Sequence, residues 1–434
     1  MWSLGFLLAC RPDPSPVGEV WFGDPHAHTG VSEDGCSSDL GPEPRAYCGV
    51  RADLGELAAF AGLDWVFVVD HTNGKNARTD DAADADWAAS VASALDDAHV
   101  LAIPAAEVFL TTADDAPLGH RTVAYFGDSL SGLDRAAASP TGDLTTAVEC
   151  SAVQAWVEAS RARFGPMLLL PHHPAALHPM PTDWSCLTDA DLGVELYSHW
   201  GNSQSWTSEA EPYADYDPLH GGPVDTTVKE GTVAYALWSV PSAQLGFFAG
   251  TDDHTTHPGS VCDPVENSRY AGGITAVVAP EGSALTRESL YDAMLARHTY
   301  ATSGPRIPLA VTVTGPDGAT AGMGDVLPLE SPETITVTLT LGDVATWFSE
   351  LVIAYAVQPA GDGLAERRTQ LDWVTSGTFQ ADIAVIPSTA EASSYVYVEL
   401  VLDGPASHPP GCHDDVDGLG NDDTERVWTS PTWF

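Results

Sequence analysis

A chain of 434 residues, 44% of them apolar, is long enough for two or three domains around a sizeable core. Its 17 Lys and Arg stand against 61 Asp and Glu, for a formal charge of −44 and a pI near 4.2. A surface of that sign repels phosphate backbones and anionic headgroups, which argues against a nucleic-acid partner and leaves a solubilising acidic surface as the plain reading.

In chain order, residues 1–18 read as a leader and tether. "MWSLGFLLAC" ends in "LLAC", which resembles the lipobox before an acylated cysteine in bacterial lipoproteins, and "RPDPSPVG" (11–18) is Pro-rich. Cys10 would carry the lipid, and the expected place is the periplasm or cell surface, with membrane contact only through that anchor. Six further cysteines, Cys36, Cys48, Cys150, Cys186, Cys262 and Cys412, form no C-x-x-C pair, which suits disulfides in an oxidising compartment. Cys36 and Cys48 close a short Gly/Pro-rich loop and are the pairing singled out. No later stretch holds 18 consecutive apolar residues, so no membrane-spanning helix is expected.

Residues 19–304 alternate apolar strands with helical segments. The strands are "EVWFGDPHAH" (19–28), "DWVFVVDH" (64–71), "HVLAIPAAEVFL" (99–110), "TVAYFG" (122–127), "PMLLLPHH" (166–173), "GVELYSH" (193–199), "LGFFAGTDDH" (245–254) and "GITAVVA" (273–279). Amphipathic stretches at 53–63, 82–98 and 145–165 lie between them. This pattern predicts an α/β fold with a parallel sheet covered on both faces, a barrel before a doubly wound sheet. Residues 305–434 change character: "LAVTVTG", "ETITVTLTLG", "FQADIAVI" and "SYVYVELVLDG" alternate apolar with polar residues, predicting a small antiparallel β-sandwich.

Imidazoles and carboxylates recur where the apolar strands end: His26, His28, Asp70, His71, Glu107, His172, His173, His199, Asp252 and His254. In "GDPHAHTG" the alternation of a strand puts His26 and His28 on one face, about 7 Å apart at Cα. In a barrel of parallel strands, all these ends meet on one face. Brought together they would repel or stay unsatisfied unless cations lie among them. Imidazole with carboxylate and no thiolate suits zinc, manganese or iron.

The set "DPHAHT", "VVDH", "AAE", "PHHP", "ELYSHWG" and "GTDDH" resembles the PHP superfamily of metal-dependent hydrolases, named for polymerase and histidinol phosphatase domains. "YSHWG" and "ARHTYATSGPRI" resemble more narrowly an uncharacterised bacterial branch with many exported members. The resemblance implies a distorted (β/α)7 barrel over 19–304, followed by the sandwich, and two or three divalent ions of zinc, manganese or iron. His26, His28 and Asp252 would hold one ion. Glu107 would bridge to a second, bound by His199 and a histidine of "PHHP", with His173, before Pro174, preferred and His172 the alternative at a shifted register. A third would take His71, His254 and Asp34, where the family often has a histidine in place of this aspartate. Glu107, Asp252 and His199 are the expected catalytic residues.

The chemistry that follows is attack on phosphorus by a metal-bridged hydroxide, cleaving a phosphomonoester or phosphodiester in a small molecule or at a polymer end. An amide or ester carbonyl could meet the same nucleophile. From a different class comes a non-catalytic module that binds a surface polymer. Asp70 is expected to orient an imidazole, and Arg306 or Arg269 to meet an anionic substrate. "HDDVDGLGNDD" (413–423) suggests a structural calcium site at Asp415, Asp417 and Asp422. His220, His257, His298 and His408 lie off the strand-end pattern, Trp65, Trp87, Trp156, Trp184 and Trp238 read as core, and Trp200 could line the pocket mouth. No G-x-S-x-G or P-loop is present, so acyl-enzyme and nucleoside-triphosphate chemistry are unsupported.

Overall fold

Runs rich in Val, Ile and Leu need both faces covered, and they form buried strands. The strands of this region are β1 (Glu19–His28), β2 (Trp65–Val69), β3 (Leu101–Thr111), β4 (Pro117–Tyr125), β5 (Met167–His172), β6 (Gly193–Ser198), β7 (Gly201–Asn202), β8 (Gly246–Ala249), β9 (Ile274–Ala279) and β10 (Thr299–Thr302). Between them lie α1 (Leu54–Phe60), α2 (Ala83–Asp96), α3 (Cys150–Phe164), α4 (Val233–Ser239) and α5 (Arg287–Leu295). The computed structural model describes residues 17–32, 54–79, 82–175, 181–199, 201–204, 231–240, 243–259, 272–342, 350–356, 367–370, 372–374, 377–390, 393–403 and 424–434. The lipobox with Cys10, the loop with Asp34, Cys36 and Cys48, and Trp200, His220, Cys262, Arg269, His408, Cys412, Asp415, Asp417 and Asp422 lie outside the described residues.

Helices form where spacing and caps agree. Ala83, Trp87, Val91 and Ala94 bury one face of α2, with Trp87 and Val91 against Ala106 and Val108 of β3. Thr286 and Ser289 close a capping box at the start of α5. No helix among the described residues is long and apolar enough to cross a membrane.

The expected (β/α)7 barrel is overturned. Only five α-helices occur among the described residues, and β1 to β10 all belong to one large mixed sheet. Its path runs β15-β14-β18-β19-β10-β9-β1-β2-β3-β4-β5-β6-β7, where β14 is Glu350–Ala356, β15 Arg367–Gln370, β18 Tyr395–Asp403 and β19 Thr424–Thr429. Parallel pairs exist at β1 with β2, β2 with β3, β5 with β6 and β6 with β8. However, β4 runs antiparallel to both β3 and β5, and β9 antiparallel to β1 and β10. The physical reason is connection length. Five residues, 112–116, join β3 to β4, enough for a hairpin and too few for the crossover that a parallel neighbour needs.

The C-terminal strands alternate as predicted for antiparallel pairing. β11 (Leu309–Thr314), β12 (Thr320–Gly322), β13 (Glu333–Leu341), β16 (Asp372–Val374) and β17 (Thr378–Val385) make a five-stranded sheet in the order β12-β11-β13-β17-β16. β13 buries Ile335, Val337, Leu339 and Leu341 in turn. These meet Val396, Val398, Leu400 and Val427 of the large sheet, together with Ala276 of β9 and Tyr300 of β10. The C-terminal strands β14, β18 and β19 thus continue the N-terminal sheet through the β10–β19 pair, and β20 (Thr432–Trp433) adds to β18. A disulfide joins Cys150, at the head of α3, to Cys186.

Candidate metal centre

β1 brings His26 and His28 to one fully buried face. Two residues earlier, Asp24 accepts from the backbone N–H of His26 at 2.9 Å, of Thr251 at 3.0 Å and of Gly259 at 2.9 Å, and from the Thr251 hydroxyl. The Asp252 N–H donates to the His26 carbonyl and the His28 N–H to the Asp253 carbonyl, both at 2.8 Å. The segment carrying Asp252 and His254 is therefore stitched to β1. Asp252 itself is held at φ 53°, a backbone state that costs a non-glycine residue energy and persists where surroundings enforce it. Register places the rest: His71 bridges to Glu107, His120 pairs with His172, and His172 pairs with Glu195.

Glu107 and Asp252 divide their oxygens between two groups of imidazoles. Glu107 Oε2 lies 3.4 Å from His26 Nε2, 3.2 Å from His28 Nε2 and 3.3 Å from His71 Nδ1, while Oε1 lies 2.5 Å from His120 Nδ1 and 3.5 Å from His172 Nε2. Asp252 Oδ1 faces His26 and His28 at 3.4 and 3.1 Å, and Oδ2 faces His172 and His199, each at 3.5 Å.

The outer nitrogens fix the tautomers. Glu195 accepts from His26 Nδ1 at 3.2 Å and from His172 Nδ1 at 3.0 Å. Ser32 gives its hydroxyl proton to Asp70 at 3.2 Å, so its oxygen accepts from His28 Nδ1 at 2.8 Å. The Asp252 carbonyl accepts from His254 Nδ1 at 2.9 Å. With Nδ1 protonated, each of these rings turns an Nε2 lone pair elsewhere, and those of His26 and His28 stand 3.0 Å apart. Two lone pairs cannot face each other at that distance, so a proton or a cation belongs between them. The charges agree: burial opposes a proton on His26, yet Asp252 and Glu195 outweigh it and raise its pKa well above the usual value. Burial likewise opposes charge on Glu107 and Asp252. The imidazoles around them, His71 and His120 for Glu107 and His26 and His172 for Asp252, hold both well below the carboxylate range. Burial, helped by the neighbouring His254 and His172 and opposed by Asp252 and Asp253, pulls His199 down to about 4.

Four overlapping sets among the described residues could hold a metal ion: Glu107, His120, His172 and His173; His28, His71 and His254; His26, Glu107, His172 and Asp252; and His199, Asp252 and His254. Within each set the ligand atoms lie within 4.8 Å of one another. The residues fit a cation on a further ground: Glu107 Oε2 is buried without a properly angled hydrogen bond although three imidazole nitrogens surround it.

The structure thus brings together His26, His28, His71, Glu107, His172, His173, His199, Asp252 and His254, while Asp34 lies outside the described residues. His172 faces both Glu107 and Asp252, whereas His173, at φ 34°, sits beyond the strand against His120. Asp70 does orient an imidazole, through Ser32 to His28. Arg306 instead donates to the carbonyls of Ala61 and Gly62 after α1, which takes it away from the cluster. His257 lies in a loop tied to Asp253, and His298 pairs with Asp325 at the surface. Trp65, Trp87 and Trp184 are buried, and Trp156 is partly so. Sequence reasoning missed His120, Glu195 and Asp24. A Glu inside "GVELYS" was the available signal, since a carboxylate within a buried strand needs partners.

Residues 250–317, which include Asp252 and His254, match a family described as a protein of unknown function (DUF3604). The chain is 35% identical over 122 residues to an uncharacterised protein of Chlamydia pneumoniae, and 33% identical over 121 residues to one of Chlamydia muridarum. Each alignment covers 28% of this chain and 18% of the relative, so the chain spans under a fifth of the length of the curated relatives it matches. No solved structure matches it.

Proposed function

We propose that this chain is a metal-dependent hydrolase whose leading reaction is phosphoester cleavage. The observation that carries it is the division of the Glu107 and Asp252 oxygens between two groups of imidazoles, the arrangement of carboxylates that bridge neighbouring cations. One position would take His26, His28, His71 and His254, the other His172 and His199. Imidazole and carboxylate donors suit zinc, manganese or iron. Cations held there supply an activated water and neutralise charge on the oxygens of a transferring phosphoryl group. The chain's own part is to hold the ligands. Glu195 and Ser32 fix the rings, and Glu107 and Asp252 fix the spacing. His199 and His254, with side chains 11% and 13% exposed, mark the edge at which a substrate can approach. The likeness of the ligand motifs to the PHP hydrolases supports this reading at the level of donors, without their barrel. The Cys150–Cys186 disulfide supports an exported setting.

The test is metal content per chain, on protein purified without chelators, for the wild type and a His26→Ala, His28→Ala double variant, followed by phosphoester, amide and ester substrates. Two or more equivalents that fall in the variant, together with metal-dependent phosphoester turnover, are expected. Turnover confined to amides or esters would move the reaction to carbonyl chemistry. A wild type that binds no metal and turns nothing over would leave the non-catalytic binding module as the better reading.

A further inference from the structure

We propose that Tyr397, in the C-terminal region, is a positioning residue for the metal centre and acts on His199 through Gln204. His199 stands at the tip of a tight hairpin of β6 and β7, in which Tyr197 pairs with Asn202 and Ser198 with Gly201. Gly201 sits at φ 99°, a conformation that lets the chain turn back without a side-chain clash. A hairpin tip takes its place from the strands and arm beneath it. Here the Ser203 N–H donates to the Leu196 carbonyl at 2.6 Å, and Asn202 Oδ1 accepts from the Gln204 N–H at 2.8 Å. The Gln204 carbonyl then accepts from the Ala234 N–H at 2.8 Å, at the start of α4. Gln204 is thus the foot on which the returning arm of the hairpin stands.

That foot is gripped from the far end of the chain. Gln204 Nε2 donates to the Tyr397 hydroxyl, with both side chains buried. The Tyr397 ring also meets Phe247 edge-on, centroids 5.3 Å apart, and Phe247 lies on β8, the strand that leads into Asp252. Beside it, Trp428 of β19 lies 5.7 Å from the ring of Tyr197, two residues before His199. Tyr397 therefore touches the arm below His199 and the strand before Asp252, two residues whose Nε2 and Oδ2 stand 3.5 Å apart. Packing alone would be served by phenylalanine at 397. A buried phenol hydroxyl needs a polar partner, and a partner it has is the foot of the His199 hairpin. On this reading the C-terminal strands are no separate module: β18 pairs with β19, and β19 with β10, so the sheet that carries the ligands also carries their brace.

This inference rests on the metal-centre reading above, and a double-variant cycle separates the two. Stepwise zinc affinities of the chelator-treated full chain are measured against a chromophoric chelator for the wild type, Tyr397→Phe, His199→Ala and the two combined. The step that His199→Ala weakens marks the position His199 serves. Tyr397→Phe keeps the ring against Phe247 and removes the hydroxyl alone. It is expected to weaken that same step about 10-fold, the low end for a residue that orients a ligand, and to change nothing where His199 is already Ala. Gln204→Met removes the donor at similar side-chain length, and its cycle with His199→Ala is expected to give the same result whether or not Tyr397→Phe folds. Equal losses with and without His199, or no loss with it, overturn the proposal and leave Tyr397 as a packing residue. A His199→Ala variant that weakens no step also overturns it, while the centre stands on its other ligands. A wild type that takes up no zinc overturns the metal centre and this inference together.

Discussion

Glu195 shows what one side chain does to the centre without joining the ligand list. A carboxylate shared by two Nδ1 atoms fixes ring rotation and raises the basicity of both Nε2 atoms, and partners of this kind typically tune metal affinity 10–100-fold. Glu195→Gln can satisfy at most one of the two N–H donors with its single oxygen. Zinc competition against a chromophoric chelator should therefore weaken by about 10–100-fold while the count at saturation stays unchanged. An unaltered affinity would reduce Glu195 to a packing role. Glu107→Ala and Asp252→Ala go further, because each removes both oxygens that face the two cation positions. Both variants should lose metal and turnover together while keeping the Cys150–Cys186 bridge, checked by metal analysis and thiol titration. Full activity in both would sink the hydrolase assignment.

At the scale of elements, the hairpin of β3 and β4 is where sequence and structure part. The strand ends were legible because polar residues stand out after apolar runs, which is why His26, His71, Asp252 and His254 could be found. His120 was not, because Pro117 and Gly119 disguise the start of β4 and the strand shows as apolar only from Thr122 onward. The reach of the large sheet was also hidden, since alternation reports which face is buried and says nothing of the partner: Tyr300 pairs with Thr429 across most of the C-terminal region. Next to His120 on β4, Arg121 is fully buried, donates to Asp191 at 3.2 Å and to the Leu118 carbonyl at 2.8 Å, and reaches the carbonyl of disulfide-bonded Cys186. Removing one partner of such a pair leaves an uncompensated buried charge. Asp191→Ala should then lower unfolding free energy by about 3–5 kcal/mol in a denaturant titration of the oxidised protein. A loss under about 1 kcal/mol, the value of an exposed pair, would show that the guanidinium finds water instead.

Over the whole molecule, an acidic chain has gathered eight of its 15 histidines into one cluster, six of them buried, so that protons and any bound metal ion would compete for the same lone pairs. For His172, burial and the neighbouring His26 oppose a proton, but Asp252 and Glu195, with the hydrogen bond to Glu107, raise its pKa to about 9. His26 is raised as well. The unfolded chain releases these protons near the ordinary imidazole value of about 6.5, whereas the metal-free native state keeps them. Between about 6.5 and 9 the native state therefore binds more protons, and its stability must fall as pH rises. A bound cation reverses this, because it takes the neutral imidazole and adds its own binding energy to the folded state. Thermal melts of chelator-treated protein should accordingly drop from pH 6.5 to 9, while zinc-loaded protein holds or gains over the same range, the gap widening with pH. Metal-free stability that stays level to pH 9 would mean that Glu195 and Asp252 do not keep a proton on His172. Parallel curves with and without zinc would mean that the cation and that proton do not share a place.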